Sequence, residues 1–330
     1  MARPFFSVVV PTWNRAELLR RTMGRVLQQD FRDFELLVAD NASDDHTAAV
    51  VSSFADARVR YVRRPENLGP VKNWQTACQE AAGEWVVFHQ DDDFLSTRFL
   101  SRCWDAVRIH TGASVYLSAL LGSQSEQSLH KPDWFCPPTA ADWLDQPRPV
   151  PLQSELLYPF SLFLTIGVCP AAAYRRTALQ DCWTPWCEDG LLYNERTMLV
   201  ELSTKGQILF DPWIGGVYIS HGSQLSVVNW QHIARDWQVM VDRVGRLAEA
   251  GQVAWQPAFL EFLNQASPRL LADWCAQAAG WSAPTGLAAE VRSLLLPWQP
   301  AVPAPPPRPP LPIRLLGRVK KACRALVRGY

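Results

Sequence analysis

Three consecutive carboxylates, Asp91, Asp92 and Asp93, end an apolar run, Trp85-Val-Val-Phe88. A run of this length between polar residues predicts a buried strand. Three acids at its carboxyl end repel one another unless a cation or solvent neutralises them. A hard divalent metal answers that repulsion. Mn2+ or Mg2+ prefers oxygen ligands, commonly takes one or two protein carboxylates, and fills its shell with water and nucleotide phosphates. The competing explanation is a solvated turn in which one Asp caps the next helix.

The elements that must position this triplet alternate between strand-like and helix-like segments over residues 5–118, which predicts an α/β fold with a mainly parallel, doubly wound sheet. Phe5–Val10 is the first strand, and Pro11-Thr-Trp-Asn-Arg15 stops it. Asn14, with Glu17 three residues on, has the spacing of a capping box opening a helix from Ala16 to about Gln29. Phe34–Ala39 is a second strand, and Asp40–Thr47 a polar loop capping a helix through Phe54. Val59–Arg63 is a third strand. The turn-rich Arg64–Pro70 then leads into a helix over Val71–Ala82 and so to the acidic strand end. Each of these loops lies at the carboxyl end of a parallel strand, the edge where open α/β sheets bind ligands. Thr12, Asp40, Asp44, Asn67, Lys72 and the triplet are therefore expected to converge. No Gly-x-Gly-x-x-Gly follows the first strand and no P-loop occurs, so a nucleotide would have to be held by other means.

Four stretches together resemble the ordered signatures of family 2 glycosyltransferases of the GT-A fold. They are Ser7-Val-Val-Val-Pro-Thr-Trp-Asn-Arg15, Glu35 to Thr47, Arg64-Pro-Glu-Asn-Leu-Gly69 and the Asp91-Asp92-Asp93 strand end. The resemblance implies a nucleotide-sugar donor, with Pro11 and Thr12 lining the nucleotide pocket and Asp40 reading the base. It implies Asp91 on the ribose or metal and Asp93 on the metal at the diphosphate. Asn14, Asn67 and Lys72 complete the nucleotide-binding set. Each has a plainer role available, as cap, turn former or helix-start residue. Further on, Thr165 to Thr177 resembles the acceptor-side segment, a strand into a helix. Glu188-Asp189, before a helical stretch from Leu191 to Ser203, matches the acidic pair of inverting members. Asp189 is then the general base and Glu188 its orienter or substitute. The plainer alternative is two acids complementing a helix N-terminus. Tyr218-Ile-Ser-His-Gly-Ser-Gln-Leu-Ser226 resembles a late family segment, which makes His221 a second metal ligand or diphosphate contact.

The rest of the chain bounds these expectations. It has 330 residues, 48% of them hydrophobic, and its net charge of zero hides an asymmetry. No acid follows Glu290, whereas eight arginines and lysines do, from Arg292 to Arg328. An acidic body with one basic tail does not look like a nucleic-acid binder. Eight scattered cysteines, without C-x-x-C or zinc spacing, read as reduced packing thiols. The N-terminus runs straight into a strand without a signal-peptide pattern, which suggests the cytosol, with a peripheral position at the inner face of the cell membrane. Gly122–Gln153 reads as an irregular insertion. Gln207–Asp211 and Gly216–Ser220 read as two short strands.

The expected organisation is a glycosyltransferase domain over 1–228, divided into a nucleotide-sugar half (1–118) and an acceptor half (119–228). A helical region over 229–296 and a Pro-rich linker over 297–312 follow, the linker with nine prolines in sixteen residues. Residues 313–330 form a basic amphipathic helix suited to an anionic membrane surface, which would suit a lipid-linked or glycan acceptor. A sugar nucleotidyltransferase would need a Gly/Arg/Lys-rich loop near the first strand, which Pro11–Arg15 does not supply. An inactive glycan-binding scaffold would have no use for the triplet, the Glu-Asp pair and His221 together.

Overall fold

The computed structural model describes residues 3–123, 134–136, 150–152, 171–188, 194–219, 233–252, 289 and 291–293. Asp189 and His221, most of the 124–170 segment, the Pro-rich linker and the basic tail lie outside the described residues.

The strands of the amino-terminal half are β1 (Phe6–Thr12), β2 (Phe34–Asp40), β3 (Val59–Arg63), β4 (Trp85–Phe88) and the short β5 (Phe94–Leu95). Between them run helices α1 (Ala16–Val26), α2 (Thr47–Ser52) and α3 (Pro70–Glu80), and α4 (Phe99–Ile109) follows β5. Then come β6 (Ala113–Ser123), β7 (Trp134–Cys136), β8 (Val150–Leu152), β9 (Ala172–Arg175), α5 (Arg176–Glu188), α6 (Asn194–Ser203), β10 (Gln207–Ile219) and α7 (Ile233–Glu249). Among the described residues one mixed sheet runs β3-β2-β1-β4-β9-β6-β10-β5, with β7 on β6 and β8 on β10. β1 pairs in parallel with both β2 and β4, and β2 with β3. β9 runs antiparallel to β4 and β6, and joins the parallel β3-β2-β1-β4 half to the β6–β10 pair.

The near-continuous apolar composition of β1, β2 and β4 follows from burial on both faces. Phe6, Val8, Val10, Leu36, Val38, Trp85 and Val87 pack on one side with α1 and α4. Val9, Leu37, Ala39, Val86 and Phe88 pack on the other with α3, α5 and α6. The two-residue period of the strands separates these sets.

Several sequence expectations are corrected. β1 does not stop at Pro11 but pairs through Thr12↔Asp40. Val9 O accepts from His89 N, so the β4 side of β1 receives residues of odd number. Pro11 shares that parity beyond the last β1–β4 pair, Val9↔Phe88, where its missing N–H costs no ladder bond. Asn14 does not cap α1 either. The N-cap is Arg15, which makes no side-chain cap bond, and Asp45 of the β2–α2 loop accepts from Ala16 N at 3.0 Å. Glu17 pairs with His46 at 2.8 Å instead of folding back. The two short strands expected at 207–220 are one, β10, with register irregularities between Asp211 and Gly216. At Gly215 a Cβ would lie 1.9 Å from Ser118 Oγ, so only glycine lets β10 approach β6 there. The segment expected to be irregular contributes β7 and β8 to the sheet.

A buried hub secures the same region. Asp211 accepts two bonds from Arg102, at 2.8 and 2.9 Å, and a third from the Tyr116 hydroxyl at 2.8 Å. This fixes α4 against β6 and β10, and leaves no bond of that buried carboxylate to chance.

Candidate active site

The carboxyl ends of β1, β2 and β4 bring the nucleotide-side residues together. Thr12 is the last residue of β1, and its hydroxyl donates to Asp91 Oδ2 at 3.0 Å. Thr22 of α1 donates to the Asp91 carbonyl at 2.8 Å, which fixes the start of the triplet against that helix. Arg15 Nη1 lies 3.0 Å from Asp91 Oδ1 and 2.9 Å from Asp92 Oδ2. Asp92 is thus paired, with a side chain only 10% exposed. Asp93 is buried, and its Oδ1 accepts from Ile219 N at 2.9 Å. That bond brings the end of β10 to the acidic strand end, two residues before His221. Asp93 Oδ2 is buried with no hydrogen-bond partner among the described residues.

The electrostatics follow from burial. Desolvation lifts the Asp91 carboxyl to about 6 against the opposing charge of Arg15, and Asp92 adds to the rise. Asp93 rises well above the usual carboxylate range, first through burial and then through Asp92. His89 is fully buried just before the triplet, and neither ring nitrogen has a partner among the described residues. Burial takes its imidazole down to about 3, so it is neutral.

The β1–α1 and β2–α2 loops are stitched to each other. Asn14, at φ 55°, donates its backbone N–H to Ser43 Oγ and accepts Asp44 N at its side-chain oxygen, both at 2.9 Å. Asn tolerates this left-handed backbone better than most residues. Asp45 joins in by holding Ala16 N and, at 2.9 Å, Thr47 N. Asp40 is buried. Its Oδ1 accepts from Ser43 N at 2.9 Å, and its Oδ2 accepts from the Tyr61 hydroxyl at 2.5 Å with Arg63 Nε 3.7 Å away. Burial and the bond to Asp40 push the Tyr61 hydroxyl far up, so it stays a donor. A base N–H can meet Asp40 only where one of these partners yields.

Asn67 joins the same edge. Its side-chain oxygen accepts from Asn41 Nδ2 and Gly69 N, both at 2.8 Å, while Asn41 accepts from Leu68 N. Lys72 is exposed in the first turn of α3. That turn is held from beneath by Asn73, which donates to Ala39 O at 2.9 Å and accepts from buried Arg64. Glu188 is the last residue of α5, so the helix N-terminus alternative does not describe it. Among the described residues no three His, Cys, Asp or Glu side chains form a metal-sized cluster. Cys78, Cys103 and Cys182 are buried.

Sequence reasoning passed over Arg15, Trp13 and Tyr61. The signal for Arg15 was one basic residue at the same sheet edge as three acids. Trp13, 52% exposed in the β1–α1 loop, was legible as an aromatic where no core needs one.

Residues 7–183 match the sequence model described as Glycosyl transferase family 2. The GalNAc(5)-diNAcBac-PP-undecaprenol beta-1,3-glucosyltransferase of Campylobacter jejuni is 39% identical over 101 residues, 30% of this chain and 33% of that one. The chain spans about half or less of the length of the curated relatives it first matches. Staphylococcus aureus TarS 1-349 in complex with UDP shares the fold with a TM-score of 0.57 and 18% identity, over 98% of this chain and 92% of that one. The mannosyltransferase PcManGT of Pyrobaculum calidifontis, in complex with GDP-Man and Mn2+, gives 0.54 and 18%, over 99% and 87%.

Proposed function

The chain belongs to glycosyl transferase family 2, and from that premise we propose that it moves a sugar from a nucleotide-diphosphate donor, a UDP-sugar, to a hydroxyl of a glycan or lipid-linked acceptor in cell-surface polysaccharide synthesis, with inversion. The observation that carries the proposal is Asp93 Oδ2. It is a buried carboxylate oxygen with no hydrogen-bond partner among the described residues, at the sheet edge where β1, β2 and β4 end. An uncompensated acid in such a place is costly unless a cation meets it.

The residues fit a hard cation. Asp93 and His221 would hold Mn2+ or Mg2+, and Asp91 would share that ion or contact the ribose. When bound, the metal would offset the charge on the departing diphosphate. The remaining work falls to the protein. Pro11, Thr12 and Asn14 shape the nucleotide wall, and Asn67 holds the β3–α3 loop around it. Lys72 supplies a point charge for phosphate. Asp40 positions Tyr61 and Ser43 at the base side and accepts a base N–H in exchange for one of its present partners. Trp13 offers an aromatic face at the same edge. Asp189, with Glu188, takes the proton from the acceptor hydroxyl.

Thermal-shift measurements with a panel of nucleotide sugars test the donor class. UDP-sugars are expected to stabilise the protein in the presence of Mn2+ and to lose most of that effect with EDTA. Equal responses with and without Mn2+ would remove the metal from the proposal, and no response to any nucleotide sugar would remove the donor site.

No described helix is long and apolar enough to cross a membrane. We place the protein peripherally at the cytoplasmic face of the membrane through residues 313–330, whose apolar positions are Leu315, Leu316, Val319, Ala322, Cys323 and Leu326 among arginines and lysines. Removing residues 297–330 is expected to shift the protein from the membrane to the soluble fraction, and to abolish co-sedimentation with vesicles containing anionic lipid. Unchanged partitioning would refute this placement.

A further inference from the structure

The three carboxylates of the strand end are not equivalent, and one side chain makes the difference. A single nitrogen of Arg15 bridges Asp91 and Asp92, at 3.0 and 2.9 Å. Thr12 holds the second oxygen of Asp91. Asp93 is held through Oδ1 by a backbone N–H, and its Oδ2 has no hydrogen-bond partner among the described residues. Arg15 is well anchored for this task. It is the N-cap residue of α1, its carbonyl accepts from Leu19 N at 2.9 Å, and Asp45 fixes the next residue through Ala16 N. The guanidinium therefore cannot leave the two acids by a shift of the loop, only by swinging its side chain, which is 30% exposed.

Charge counting gives the consequence. With all three acids ionised, the form in which they would meet a cation, three carboxylates and one guanidinium leave two negative charges, the number a divalent cation cancels. Without the guanidinium there would be three. We propose that Arg15 is the resident counter-ion of the triplet, withholding Asp91 and Asp92 from the cation so that tight metal binding waits for the donor's diphosphate. This rests on the donor-and-metal proposal above. Arg15 is a positioning residue that acts through Asp91 and Asp92. Asp93 Oδ2 is the buried oxygen of the triplet with no hydrogen-bond partner among the described residues, and one carboxylate oxygen is too few for a hard ion that wants six oxygens. Phosphate oxygens complete the shell, so metal and nucleotide bind as a pair. The arrangement keeps the site from filling with metal when no donor is present.

The test is a titration of the full chain with Mn2+ alone, following free Mn2+ by electron paramagnetic resonance, and then again with UDP. Wild type is expected to bind Mn2+ weakly alone and more tightly with UDP. Arg15→Met removes the positive charge paired with Asp91 and Asp92, so Mn2+ alone is expected to bind about tenfold tighter. The enhancement by UDP should shrink by a similar factor. The metal-free variant should melt earlier than wild type, because two close carboxylates lose their counter-ion, and Mn2+ should restore it. Arg15→Lys, which keeps a point charge, is expected to behave as wild type. Should Arg15→Met prove too unstable to titrate, Arg15→Gln gives the same comparison.

Unchanged Mn2+ affinity and UDP enhancement in the charge-removing variant would overturn the counter-ion role while leaving the donor site intact. So would a lysine variant that behaves like the methionine one. Wild type that binds no Mn2+ even with UDP would overturn the donor site, and this inference with it.

Discussion

Asp93→Asn is expected to lower sugar transfer on the order of 10³-fold while making the metal-free protein more stable. The two effects have one cause. Asp93 is buried, accepts a single backbone bond and has a second oxygen with no hydrogen-bond partner among the described residues. An asparagine keeps the acceptor for Ile219 N–H and removes a charge that burial and Asp92 both disfavour. What it cannot do is offer an anionic oxygen to a cation at the diphosphate, and loss of one such preorganised electrostatic contact costs about 10²–10³-fold or more.

The pH dependence of stability separates this from a generic core effect. A carboxyl whose folded pKa is raised favours the fold only while protonated, so its contribution is full below the unfolded value near 3.8 and lost as pH rises through the folded one. In EDTA, wild type should lose stability as the pH climbs, and the Asp93→Asn variant should lose less. The gap in thermal midpoint should widen upwards in pH. Addition of Mn2+ with UDP should then raise the midpoint of wild type and leave the variant unmoved. A variant with wild-type turnover would remove Asp93 from the site altogether.

Strands β1, β2 and β4 were legible because each is buried on both faces, so its apolar run has no competing explanation. The placing of Thr12, Asp40, Asn67 and the triplet at one edge followed from parallel topology alone, and Thr12–Asp91 and Asn41–Asn67 are bonds of that convergence. The misreadings share a different physics. Pro11 looked like a terminator, but a proline ends a strand only on the side where its N–H is needed, and parity decides that side. Asn14 and Glu17 had the spacing of a cap, yet Asp45, about thirty residues on, holds the helix start. Arg15 lies 76 residues from Asp91, a pair that no local window contains. Strand β10 looked broken because Pro212, Gly215 and Gly216 are breakers in isolation. In the sheet they fall at register irregularities where β10 crowds β6. Local rules recovered elements, and contacts across the sheet edge settled how those elements serve the site.

Asp189→Asn is expected to reduce transfer about 10²–10⁴-fold, the usual contribution of a positioned general base, with donor binding preserved. The assignment rests on family position and on the local chain. Glu188 closes α5 and so stands at the carbonyl end of a helix. A helix stabilises acids at its amino end and disfavours them at its carbonyl end, so Glu188 there is not explained by helix stability. Glu188→Gln should cost less, because an orienting residue affects the geometry of the base and not its capacity for a proton. The informative pair of measurements is transfer rate and UDP-sugar-induced thermal shift in the presence of Mn2+. Loss of rate with an unchanged shift in Asp189→Asn fits a base that touches only the acceptor hydroxyl. Loss of both would place Asp189 in the donor site instead. Intact turnover in Asp189→Asn with collapse in Glu188→Gln would move the base by one residue, onto the last turn of α5.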